Sequence, residues 1–94
     1  MTIVQRIANA KAGLSVTREH LAAHRDKARE AHRELQRFMM EAMKDPAHAH
    51  LHFSAIGRCY MEQERELGRA SLAEGSVIAL RQEIKMLKAQ LPSA

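Results

Sequence analysis

The stretch D-P-A-H-A-H-L-H-F, Asp45 to Phe53, carries three of the chain's six histidines on alternate positions. Imidazole ligates metals and titrates near neutrality, so this spacing bears on two chemistries, metal binding and a response to pH. On a strand His48, His50 and His52 share one face; on a helix only His48 and His52, four apart, do so. His20 and His24 form a second pair four apart. Zn²⁺ usually takes four ligands, and Glu41, Asp45 and Cys59 are the nearby candidates to complete the 48–52 pair. No Cys-x-x-Cys or His-Glu-x-x-His accompanies them. The histidines therefore read as solvated residues of a bend and of a helix start, and the expectation is no metal and no cofactor.

Two further groups could do chemistry. His24 and Glu66 could form an acid–base dyad, or a polar pair that fixes the register of two helices. A dyad needs a nucleophile, a phosphate loop or a pocket beside it, and the sequence offers none, so the structural role is expected. Without a low-pKa environment there is no case for Cys59 as a nucleophile; a small residue packed in a helix seam is expected. As the one cysteine it excludes an internal disulfide and fits a reducing compartment. The chain is expected not to be an enzyme.

The elements that must position these residues are helices. Good helix formers dominate the 94 residues, aromatics are 3%, and two prolines with four glycines leave little for a turn-rich β fold. The length allows one domain, residues 1–94, with a thin core unless it pairs with something. Stepping by four and three from Ile3 gives Ile7, Ala10, Leu14, Thr17, Leu21, His24, Ala28, Ala31, Leu35, Phe38 and Ala42. Ten of these twelve positions are apolar, the seam of one long coiled-coil-like helix. Thr2 with Gln5 is a capping-box start. Gly13 is the weak point, where Ser15 or Thr17 could cap a second helix. Pro46 ends the arm by pushing Asp45 out of the α region, and Asp-Pro also reads as the cap and first residue of a new helix.

The second half repeats the seam, read backwards as Leu91, Leu87, Ile84, Leu80, Val77, Ala73, Ala70, Glu66, Gln63, Cys59, Ile56, His52 and Ala49. Folding at Asp45 pairs Ile3 with Leu87, Ile7 with Ile84 and Leu14 with Val77. It also brings the polar interruptions His24 and Glu66 together. The expected fold is all-α: a long antiparallel helical hairpin with arm one about 2–44, a bend about 45–47 and arm two about 48–91. A break at Gly75-Ser76 would give a three-helix bundle instead. A lone hairpin leaves apolar surface uncovered, so self-association into a homo-oligomer is expected.

Two patches could bind partners. Phe38, Met39, Met40, Met43, Leu51, Phe53 and Tyr60 gather at the bend, together with Met61. They form either a dimer core or a Met-rich tip that adapts to a protein partner. The net charge of +4 gathers at the chain ends, where Arg6, Lys11, Arg18, Arg81, Lys85 and Lys88 face Glu83 alone. These read as solvated cations or as contacts to nucleic-acid phosphates, and without interleaved aromatics such contacts would ignore sequence. The rows Arg25–Arg29–Arg33 and Glu30–Glu34 read as solvated faces. The leading expectation is a non-catalytic protein-binding module of the adaptor, chaperone or regulator kind. The alternative is a nucleic-acid-binding helical dimer. No run reaches the ~18 apolar residues of a membrane span, and the N-terminus lacks a secretory signal's apolar core, so the expected location is cytoplasmic.

The segment F-S-A-I-G-R-C-Y-M, Phe53 to Met61, resembles the aromatic-x-x-[Val/Ile]-Gly-Arg-x-aromatic segment of β-type prefoldin subunits. That resemblance implies a jellyfish-like hexamer whose arm tips hold unfolded clients. It also implies a small assembly strand using Phe53, Ile56, Gly57, Arg58 and Tyr60, paired with a strand from the alternating histidines.

Overall fold

The computed structural model describes residues 1–92. Helix α1 spans Ile3–Lys44, a 3-10 segment spans Pro46–His52, and helix α2 spans Phe53–Ala89. The two long helices pack antiparallel as a hairpin measuring 74 × 19 × 14 Å. Thr2 starts α1 as a capping box: its Oγ1 accepts from the Gln5 N–H at 3.1 Å, and the Gln5 side chain accepts from the Thr2 N–H at 2.9 Å. Gly13 does not split the helix. Thr17 donates its hydroxyl back to the Gly13 carbonyl at 2.7 Å, which satisfies the one hydroxyl in the α1 seam.

All twelve seam positions of α1 are buried or half-buried, and so are those of the second half except Leu91. α2 ends at Ala89, where the Gln90 N–H caps back to the Leu87 carbonyl at 3.1 Å, so Leu91 leaves the seam. The core comprises Ala10, Leu14 and Leu21 against Ala70, Val77 and Ile84, with Ala73 and Leu80 packed on it. Leu87 closes the open end at 2% exposure. The alanines matter here, because a side chain that ends at Cβ lets two helix backbones approach closely.

Three expectations are corrected. α2 runs unbroken through Gly75-Ser76, so no three-helix bundle forms among the described residues. The bend is longer than 45–47: Asp45 leaves the helix at φ −135°, ψ 80°, as a residue before proline should, but Pro46–His52 then winds as a 3-10 segment, so the returning arm begins at Phe53, not His48. Seven residues is long for a 3-10 run. It is tied down by side chains at its ends. His48 Nδ1 lies 2.7 Å from the Asp45 carboxylate, which therefore takes an imidazole and caps no backbone N–H. His52 Nδ1 lies 3.9 Å from Glu41, and its ring packs on Phe38 with centroids 6.3 Å apart. Finally, the strand pair implied by the prefoldin resemblance is absent among the described residues: Phe53–Met61 is the opening of α2, with Gly57 inside the helix.

Candidate functional site

The seam leaves shallow grooves between the helices. On one side, near the open end, a groove of about 950 Å³ is lined by Lys11 and Arg18 from α1 and by Arg81, Lys85 and Lys88 from α2. Leu14, Ala22 and Ile84 lie between them, and Glu19 is the one carboxylate in its lining. Further along α1 a second groove, of about 520 Å³, is lined by Arg25, Arg29, His32 and Arg33 opposite Gln63 and Leu67. Between the two, Arg25 reaches across the seam to Glu74 at 3.6 Å.

Both grooves follow from a sequence repeat. Lys11, Arg18, Arg25 and His32 recur every seven residues on α1; Leu67, Glu74, Arg81 and Lys88 do the same on α2. A row whose period equals that of the seam stays on one flank of it. The same rows reach the bend, since Met39 follows His32 and the row of Phe53 and Tyr60 leads into Leu67. One flank of the hairpin is therefore basic at the open end and apolar at the tip.

The cations of the first groove are also unengaged. Among the described residues none of Lys11, Arg18, Arg81, Lys85 and Lys88 has a carboxylate within 4.0 Å. The sequence explains this. No acidic residue stands three or four positions from any of the five, so no intrahelical pair can form. Mid-hairpin cations do pair: Arg29 with Asp26 at 3.1 Å, Arg37 with Glu34 at 3.8 Å, Arg65 with Glu62 at 3.1 Å.

The structure thus brings five of the six sequence-predicted basic residues into one groove and leaves Arg6 out of its lining. It also adds Arg25, Arg29 and Arg33, which as a sequence read as ordinary solvated residues. The seven-residue row from Lys11 to His32 was the signal for Arg25, whereas Arg29 and Arg33 lie outside that row. At the tip, Met39, Met40, Met43, Leu51, Phe53 and Tyr60 are 47–76% exposed. Phe38 is corrected: it is half-buried against His52, with the Arg37 guanidinium 4.9 Å from its ring centroid, and it supports the tip from beneath.

The remaining titratable groups are placed as follows. The His24 imidazole donates from Nδ1 to Glu66 Oε2 at 2.6 Å, and Arg69 donates to Glu66 Oε1 at 3.0 Å. Glu66 is the most buried residue described, at 1% exposure. The His24 hydrogen bond holds its carboxyl below the ordinary value of 4.5; burial opposes this, and the charges of Arg69, His24 and Lys27 reinforce it. Cys59 lies half-buried beside a third groove, on a face that mixes Lys27 and Arg58 with Glu30, Glu34 and Glu62. Among the described residues no three His, Cys, Asp or Glu side chains converge as metal ligands would, and no helix is long and apolar enough to cross a membrane. Compared with family models, curated proteins and solved structures, the chain matches none at significant similarity.

Proposed function

We propose that this chain is a non-catalytic binding module of the adaptor, chaperone or regulator kind, and that its apolar tip holds a protein partner. The observation that supports this is the exposure of six large apolar side chains around one bend: Met39, Met40, Met43, Leu51, Phe53 and Tyr60. Apolar side chains scattered singly on a surface need no explanation, but a cluster of this size marks an interaction site. Three of the six are methionines, whose unbranched chains repack against differently shaped partners. Beneath them the Phe38 ring packs against His52 and supports the bend. A tip whose backbone is already ordered loses less entropy on binding.

The test is the double variant M43E/F53E. Both side chains are exposed, so helicity by circular dichroism should be unchanged. Mass in solution and the set of proteins retained by the immobilised chain should change, since a charge in an apolar contact is strongly unfavourable. Unchanged mass together with an unchanged retained set would remove the tip from consideration.

A further inference from the structure

We propose that the basic flank is a docking surface for duplex nucleic acid, gripped through backbone phosphates without reading sequence. This goes beyond the protein-binding tip and uses different residues.

Charge is the first argument. The groove at the open end draws five cations from both helices, none paired with a carboxylate among the described residues, and Glu19 is the one carboxylate among its described lining. Arg25, Arg29 and Arg33 extend the surface along α1, two of them sharing their charge with Glu74 and Asp26. Solvated lysines and arginines on a helix normally sit among acids of the same helix. Here the intervening sequence withholds those acids, which leaves the charge available to an external anion.

Length is the second argument. From Lys11 to Arg33 the cations of α1 that line the two grooves span about 33 Å at 1.5 Å per residue, close to the ~34 Å of one duplex turn. A linear array of cations along one flank of a helix matches a linear polyanion.

Shape and composition then select among polyanions. The hairpin is 19 × 14 Å in section, too thick to enter a major groove about 12 Å wide that admits a single helix. It must ride on the phosphate walls, where contacts carry no base information. Neither basic groove is lined by Phe, Tyr or Trp, and His32 is the one ring in their linings, so the surface lacks the series of aromatic platforms on which successive bases of a single strand stack. Leu14 and Ile84, the large aliphatics of the first groove, are buried, and the exposed aliphatics beside the basic surface, Leu67 and Ile78, stand apart on α2, so the basic end lacks the continuous apolar face with which a basic helix enters a lipid interface.

The experiment is fluorescence anisotropy of a labelled 25-base-pair duplex of arbitrary sequence, titrated with the full chain between 50 and 200 mM salt. The expected slope of log K against log salt is about −4 to −7, at about −0.9 per phosphate neutralised, which is roughly a hundred-fold loss of affinity or more across that range. A second duplex of unrelated sequence should bind equally. The variant K11Q/R81Q/K88Q should flatten the slope by about 1 for each cation removed. The control R58Q/R65Q, off this flank, should bind as wild type, and so should M43E/F53E, which separates this surface from the tip. No binding at 50 mM salt would overturn the proposal, as would equal losses in the flank and control variants. Tighter binding to a single strand, to polyglutamate or to anionic phosphatidylserine vesicles at the same salt would also overturn it, and would reassign the flank to that anion.

Discussion

Glu66 is a carboxylate where a leucine would be expected, and the residue opposite explains why it is tolerated. A buried carboxylate left alone is strongly disfavoured, but one that accepts from His24 and Arg69 is satisfied at both oxygens. The pair also acts as a register key: sliding α2 along α1 by a turn would strand both groups. Because the folded carboxyl titrates below its ordinary value of 4.5, the unfolded chain binds its proton first. Its contribution to stability is therefore full above about pH 4.5 and is lost as the pH falls through the lower, folded value. E66Q should lower the melting temperature at pH 7 and narrow the gap to wild type in acid. Parallel melting curves at every pH would show that the carboxylate charge contributes nothing. The apolar seam makes a simpler prediction. Leu87 is nearly sealed at the open end, and L87A should destabilise by about 2–4 kcal/mol in urea titration. A loss under about 0.5 kcal/mol would mean that the open end frays and that Leu87 is not packed in solution.

The helices are longer than their local signals require. Gly68 and Gly75 lie in the middle of α2, and a Cβ added at either meets nothing within 4 Å. Each should therefore accept alanine, and G68A/G75A should raise stability by about 1–2 kcal/mol through helix propensity alone. Destabilisation by this variant would mean that something covers that face in solution. At the other terminus T2A should lose about 1 kcal/mol, since the capping box satisfies two groups at once. The capping box and the stop at Asp45 were legible in sequence, because each depends on residues three apart or adjacent. The 3-10 winding of Pro46–His52 was not. The alternation of its histidines fits a strand, a helix or a turn equally, and the packing of His52 on Phe38 of the other arm is a contact that no local reading contains.

The whole molecule is a rod. Its Cα radius of gyration is 21.0 Å, against about 12 Å for a compact domain of this length. X-ray scattering from the monomer should return a value near the former; a value near the latter would mean that the arms fold onto each other again. At this scale the two chemistries of the flank separate, basic at one end and apolar at the other, along a body too stiff to bring them together. A ligand bound at one end would be held far from a ligand bound at the other.

The amino-acid order by itself determined the helical class, the fold-back at Asp45, the pairing of His24 with Glu66 and the basic character of the chain ends. Each of these is a matter of period, of short spacing or of summed charge, which a linear reading can count. Only the tertiary structure decided that α2 passes unbroken through Gly75-Ser76, since packing against α1 outweighs a weak local propensity. It alone withdrew Phe38 beneath the tip, left Arg6 outside the groove and set Arg25, Arg29 and Arg33 beside it. Which flank of a seam a side chain takes depends on where the partner helix lies, and that direction exists only once the two arms have met.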